Sequence, residues 1–184
     1  MKKFSSLFAA LLFLFLVGNI QSAMAQMNAP TYSQRDGRWA NDQLGFLPGS
    51  TIGAYGCVDT CIAMLRSYYG DAKNPRDENV WLKNHGGFNN DLVIWRAVPG
   101  YAGSRNYPKA ADLNYINSLL AQGIPVIAET RWPTNRSWTH YVLITGRSGG
   151  TYFINDPYYG DRTTFNGRYG DPSRWIYSVQ VYYR

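Results

Sequence analysis

The sequence predicts an α+β fold with an antiparallel sheet. Two observations carry that expectation. Helix-periodic segments run up to residue 122, and β-branched and aromatic runs follow, so helices come first and strands later instead of alternating. The composition sets 18 Gly and 16% aromatic residues against only 2 Glu, whereas a helix bundle surfaces itself with many Glu and Lys. At 184 residues, 45% hydrophobic and 16% charged, the chain is globular in composition and long enough for one domain.

The elements follow in order. Met1-Lys2-Lys3, the uncharged apolar run Leu7–Val17 and the small-x-small site Ala23-Met24-Ala25 predict a secretory signal peptide over residues 1–25, cut before Gln26. The apolar run is short for a membrane span, and Asn19, Gln21 and Ser22 close it. No Cys follows the cut, so no lipid anchor is expected and the mature chain is expected to keep no stable membrane anchor. Residues 26–184 then form one domain, secreted or periplasmic and monomeric, that opens with an extended arm over Gln26–Ser33 and a polar loop over Arg35–Ser50.

Val58, Cys61, Ile62, Leu65 and Tyr69 recur at helical spacing and predict a helix over Cys57–Tyr69, with Asp59 in its first turn where the helix dipole favours an acid, and Gly70 as its stop. Asn74-Pro75 reads as an N-cap and first helical residue, opening a helix that ends near Gly86-Gly87. Asp91–Ala97 reads as a short helical turn, and Ala110–Gln122 as a helix stopped by Gly123. Pro125–Thr130, His140–Thr145, Thr151–Asn155 and Trp175–Tyr183 read as strands, with Gly146–Gly150 as a hairpin loop between the second and third.

Charge and ligand counts exclude several classes. Losing Lys2 and Lys3 takes Lys plus Arg from 18 to 16 against 12 Asp plus Glu, a net charge of +4 with no basic run left. Nucleic-acid binding, which needs a basic patch, is not expected. Two Cys and two His cannot build a disulfide-dense scaffold or a four-Cys zinc module. A zinc site from Cys57, Cys61, His85 and His140 would need a Cys-x-x-x-Cys pair on a helix, which is not the usual short-loop knuckle. No metal or organic cofactor is expected.

Cys57 stands where the first clear helix begins, after Gly53-Ala54-Tyr55-Gly56. Unpaired N–H groups and the dipole at a helix N-terminus favour a thiolate, and the same groups can hold the oxyanion formed when it attacks a carbonyl. The alternative is a buried structural Cys or half a disulfide. Cys61, one turn on, shares the apolar face, and a disulfide at that spacing within one helix is strained. Cys57 is thus expected to stay unpaired. His140 opens a strand and reads as a general base or as a capped surface His. Asp156 ends the next strand in Ile154-Asn155-Asp156-Pro157; a hairpin between the two would set it beside His140, where it could fix the imidazole, although Asp-Pro is also plain turn chemistry.

Several segments then run in a telling order: Tyr32-Ser33-Gln34-Arg35-Asp36 with Trp39, Ile52-Gly53-x-x-Gly56-Cys57-x-x-Thr60 with Ala63-Met64, Gly123-Ile124-Pro125-Val126-Ile127, His140-Tyr141-Val142-Leu143-Ile144-Thr145-Gly146, and Ile154-Asn155-Asp156-Pro157. This pattern, from Tyr32 to about Gly160, resembles the papain-like cysteine peptidases related to the bacteriocin leader peptidases, which cut after a double glycine, and most of all their stand-alone secreted relatives. The resemblance implies a papain-like fold in which the helix carrying the nucleophile packs on an antiparallel sheet. It implies Cys57 as nucleophile, His140 as base, Asp156 as its orienter and Gln34 as an oxyanion donor. Gln34 lies 23 residues before Cys57, so a loop must fold back to bring it in.

The function expected on this basis is a secreted bacterial cysteine peptidase or amide hydrolase acting on a peptide or protein. A peptidoglycan stem-peptide hydrolase with the same residues, and a non-catalytic peptide-binding module of the same fold, are the alternatives. Two features separate this sequence from the exporter-linked peptidases. It carries no transporter, and its loops Trp132–Trp138 and Tyr158–Gly170 need not suit a double-glycine peptide. Trp39, Trp95, Trp132 and Trp138 are candidates for a cleft wall or for packing.

Overall fold

The computed structural model describes residues 26–184, and the expected signal peptide at 1–25 lies outside the described residues. The elements, in chain order, are α1 (Ile52–Tyr55), α2 (Cys57–Tyr68), α3 (Pro75–Asn84), β1 (Phe88–Asn89), β2 (Leu92–Val93), a 3-10 turn (Trp95–Ala97), β3 (Tyr101–Asn106), α4 (Leu113–Ala121), β4 (Val126–Arg131), β5 (Thr139–Ser148), β6 (Thr151–Asp156), β7 (Asp161–Thr164), α5 (Phe165–Tyr169), α6 (Pro172–Trp175) and β8 (Ser178–Tyr182). Among the described residues, six strands form one sheet in the order β3-β8-β4-β5-β6-β7, and every neighbouring pair in it is antiparallel. The fold is α+β, as expected.

Side-chain alternation splits the core over the two faces of this sheet. Val126, Ala128, Val142 and Ile144 pack with Ile116, Leu119 and Leu120 of α4 and with Phe165 of α5. Ile127 and Leu143 point the other way, onto Cys61, Ile62 and Leu65 of α2 and Leu82 of α3. Both faces are therefore covered, which is why β4 and β5 read as continuous apolar runs and not as alternating ones. Truncating a fully buried residue such as Ile62 to Ala would cost about 2–5 kcal/mol.

Helix ends follow their caps. Asn74 Oδ1 accepts from the Asp77 N–H at 3.1 Å, with Pro75 as the first helical residue, so α3 starts where expected. Asp112 Oδ1 accepts from the Tyr115 N–H at 3.0 Å and makes itself the N-cap of α4, which shortens the helix expected from Ala110. The helical turn expected over Asp91–Ala97 survives only as Trp95–Ala97. Asn90, at a φ of 57°, turns the chain so that Asn89 pairs with Leu92, and β1 and β2 form a two-residue hairpin instead.

Four further segments differ from expectation. β5 continues to Ser148, so the hairpin turn is Gly149-Gly150 alone. Trp175 closes α6, which Asp171 caps and Pro172 opens, and β8 begins only at Ser178. The two edge strands β3 and β7 have sequences Tyr-Ala-Gly-Ser-Arg-Asn and Asp-Arg-Thr-Thr, too polar to show a strand pattern. Polar edges are what keep an open sheet from pairing with other chains.

The N-terminal arm lies on the sheet. The Met27 N–H bonds Thr145 O at 2.7 Å, and Asn155 Nδ2 donates to Ala29 O and Pro30 O. After the arm, the Arg35–Ser50 loop folds back and closes with a bridge between Gln43 and Thr51. No helix among the described residues is long and apolar enough to cross a membrane.

Candidate active site

Cys57 is the first residue of α2. Thr51 caps the short helix α1 by accepting from the Ala54 N–H, and α1 runs through Gly56 directly into α2. A Cβ at Gly56 would lie 2.6 Å from Ile52 O, so only glycine lets the two helices meet this closely and set Cys57 at the break. Both cysteines are free; Cys57 is half-buried, and Cys61 is fully buried, its thiol donating to Tyr141 O at 3.5 Å. Burial, first, and then the nearby Cys57 and Asp156 push the Cys61 thiol well up, which suits a neutral core residue.

His140 enters from β5. The register that pairs Leu143 with Asn155 puts Asp156, at the end of β6, on the His140 side of the sheet. His140 Nε2 lies 3.0 Å from Asp156 Oδ1, which leaves Nδ1 for the Cys57 side of the ring. The imidazole is buried between neighbours: Trp132 stacks on it at 4.6 Å between centroids. Burial alone would lower its pKa, but the hydrogen bonds and negative charge of Asp156 and Cys57 outweigh that and raise it to about 9.

Asp156 has no exposed surface. Its Oδ1 also accepts from the Tyr158 N–H at 3.1 Å, and its Oδ2 accepts from the Tyr169 hydroxyl at 2.6 Å and from Arg168 at 3.0 Å. Burial pushes the carboxyl up, yet the donors from His140, Tyr169 and Arg168 more than reverse this and hold it below the usual carboxylate range. Arg168 and Tyr169 were not foreseen in the sequence. They lie in α5, within a stretch that shows neither helical nor strand periodicity.

Gln34 reaches the same cleft by the folded-back loop. Its N–H bonds Pro157 O at 2.7 Å, next to Asp156, and its side-chain Nε2 donates to Gly53 O at 3.0 Å. Gly160, at a φ of 68°, faces Ser33 so closely that a Cβ would sit 2.5 Å from the Ser33 Cβ, so the Tyr158–Gly160 turn and the Gln34 loop lock together. Trp39 fastens the loop from the other side, donating to Ser33 O at 2.8 Å. Gln34 itself is buried, and its Oε1 accepts no hydrogen bond from any described residue.

Gln34, Cys57 and His140 line a cleft of about 640 Å³, and Asp156 stands behind His140. The other walls are Tyr55 from α1, Trp132, Thr134, Asn135 and Trp138 from the β4–β5 loop, and Tyr158 and Tyr159 from the β6–β7 turn. Among the described residues, no Asp, Glu, Lys or Arg lines it. Of the four tryptophans singled out in the sequence, Trp132 and Trp138 face the cleft, Trp39 is core, and Trp95 packs against Tyr141 at 5.5 Å. His85 stands apart at the end of α3, stacked on Trp81 at 4.1 Å with Nδ1 on Trp81 O.

Asp59 stands in the first turn of α2, as expected, and is fully buried there. Neither of its oxygens accepts a hydrogen bond from any described residue. Burial, followed by the nearby Glu78, pushes its carboxyl well above the usual range and favours the neutral form.

A cysteine at a helix N-terminus, packed on an antiparallel sheet that carries His140 and Asp156, is the arrangement of a papain-like fold. Comparison with known proteins narrows this. The model of the Peptidase_C39-like family matches residues 26–182, and the chain belongs to that family. A crystal structure of a candidate C39-like peptidase from Bacillus anthracis superposes with a TM-score of 0.53 at 13% identity, covering 89% of this chain and 98% of that one, a likeness of fold alone. No curated protein matches.

Proposed function

We propose that this chain is an exported cysteine peptidase that hydrolyses peptide bonds with Cys57 as nucleophile. The observation that carries the reading is the line of hydrogen bonds behind the cleft: Asp156 Oδ1 to His140 Nε2 at 3.0 Å, with the other face of the imidazole toward the Cys57 thiol. Asp156 keeps the imidazolium charged, and the imidazolium and the α2 N-terminus favour the thiolate. The thiolate attacks the carbonyl carbon of the substrate. The oxyanion is met by the second Nε2 proton of Gln34, the first being held by Gly53 O, and by the N–H groups opening α2. His140 gives its proton to the leaving amine, and then takes one from the water that releases the acyl group from sulfur.

Apart from Cys57 and His140, the described residues of the cleft wall are aromatic or neutral, which favours an uncharged peptide over peptidoglycan stem peptides, whose several carboxylates would have His140 alone to meet them. The segment 1–25 supports export. The test is a digest of a peptide library and of purified peptidoglycan by the wild type and by Cys57→Ala. Cleavage of peptides by the wild type alone is expected. Equal cleavage by the variant would end the assignment, and cleavage of peptidoglycan alone would move the substrate to the cell wall. A Cys57 no faster in alkylation than a free thiol would point to a binding module instead.

A further inference from the structure

Asp156 accepts three hydrogen bonds besides the one to His140, and both of those on Oδ2 come from one short helix. The Tyr169 hydroxyl reaches Oδ2 at 2.6 Å and Arg168 reaches it at 3.0 Å. Arg168 also forms two parallel bonds to Asp161, both at 2.7 Å, and Asp161 is the residue that Asp156 faces across the β6–β7 pair. The same guanidinium lies 4.1 Å from the centroid of the Tyr159 ring, a wall of the cleft. One side chain therefore ties both ends of the Pro157–Gly160 turn and one of its aromatic rings to the carboxylate behind the imidazole. Phe165, packed against Tyr169 at 5.3 Å, anchors α5 in the core.

The geometry points to Arg168 and Tyr169 as positioning residues of the reaction: they occupy the Asp156 oxygen that faces away from His140, and so hold the other oxygen, and through it the imidazole, in line with the Cys57 thiol. The inference rests on the peptidase reading above. Two alternatives for the pair fail on placement. Neither residue lines the cleft, so neither meets substrate directly. Nor is Arg168 a surface ion pair of little worth, because its partner Asp156 is fully buried and a buried carboxylate without donors would take up a proton. The charged and titratable groups facing Asp156 are His140 of β5, Arg168 and Tyr169 of α5, Asp161 of β7, and Cys61 of α2. Among them Arg168 and Tyr169 are the donors to Oδ2.

The sign of the effect follows. With either donor removed, Asp156 takes its proton at a higher pH. A protonated Asp156 no longer supports the imidazolium, and the thiolate of Cys57 loses its partner. The rate of Cys57 alkylation by iodoacetamide, followed by mass against pH, reads this without a known substrate, since Cys61 is buried. The acid limb of that profile should move up by about 1 pH unit in Arg168→Gln and by less in Tyr169→Phe. Arg168→Lys, which keeps the cation and loses the fork, should fall between Arg168→Gln and the wild type. Residues that only pack would lower the melting temperature and leave the limb where it is; an unmoved limb in folded Tyr169→Phe or Arg168→Gln overturns the inference. Should those variants not fold, the milder Arg168→Lys decides by the same profile: an acid limb above that of the wild type supports the inference, and a limb that coincides with it overturns it. A wild type without an activated Cys57 thiol would instead sink the peptidase reading, and this inference with it.

Discussion

Asp156 and Asp59 are two carboxylates with no exposed surface, one behind His140 and the other two residues along α2 from Cys57, and their surroundings push them in opposite directions. Asp156 accepts four hydrogen bonds and is held low; Asp59 accepts none from the described residues and is pushed well up. Glu78 falls between. It is equally buried, but one Arg66 nitrogen supplies both its bonds, at 3.0 and 3.1 Å, and burial wins, raising it to about 7. Burial does not decide whether a carboxylate is charged in this protein. The number of donors aimed at it does, and the donors are concentrated where the proposed chemistry needs a charge.

The comparison breaks most visibly in activity. Asp156→Asn should lower kcat/KM by roughly 10²–10⁴-fold, the range set by losing the group that fixes a catalytic imidazole. Asp59→Asn should leave kcat/KM within about twofold, since it replaces a neutral group by a neutral one. Steady-state kinetics on a peptide found in the library digest would check both. Equal losses in the two variants would mean that Asp59 is charged and acts on the thiolate.

The next effect is on stability at the α2–α3 contact. Arg66 is clamped by Glu78 and Asp71 and lies over the Trp81 ring at 4.1 Å. Arg66→Ala leaves Glu78 buried without a donor and should cost about 3 kcal/mol by denaturant unfolding, whereas Glu78→Gln, which leaves Arg66 its bond to Asp71, should cost less. The order would reverse if the cation, not the carboxylate, were the group that burial strains.

The His140 pair gives a third, pH-dependent effect. Its folded pKa, about 9, lies above the ordinary 6.5, so its contribution is fully present below pH 6.5 and is lost as pH rises through 9. At most roughly 2–3 kcal/mol of stability should disappear across that window, and His140→Gln should flatten the slope. A wild type equally stable at pH 6.5 and pH 9 would contradict the charged pair.

How much of this was legible in the sequence depends on what each residue's neighbours are. Cys57, His140 and Asp156 stand at the junctions of elements whose own patterns are strong, so a helix start and a hairpin were enough to suggest their meeting. Gln34 needed the family resemblance, because the loop that returns it is held by Trp39, Gly160 and a single bridge and has no periodicity. Arg168 and Tyr169 were invisible for the same reason, and so were β3 and β7, whose polar edges carry no alternation. Asp59 stands in the first turn as read, but its burial was not visible, for a different reason. First-turn acids are usually exposed, and only α3, which brings Glu78 and Lys83 toward it, makes this one a core residue.

Asp59 therefore offers the smallest and most specific test. Its folded pKa is raised, so whatever it contributes is present below the ordinary Asp range and lost as pH rises. At pH 7 the unfolded chain carries Asp59 ionised and well hydrated, while burial without a donor among the described residues pushes the folded chain toward the neutral form. Folding must then take up a proton against the solution, which is a penalty. Asparagine has nearly the same volume and no proton to take up. Asp59→Asn should raise the melting temperature by about 2–4 °C at pH 7, what one kcal/mol is worth in a domain of this size. The gain should shrink toward zero near pH 3, where the unfolded Asp is protonated too. A thermal-shift series across that range checks both parts. Destabilisation at every pH would mean that the Asp59 oxygens have donors and that the contrast with Asp156 is one of degree. A gain that persisted unchanged at pH 3 would assign the effect to packing of the amide, with no part played by charge.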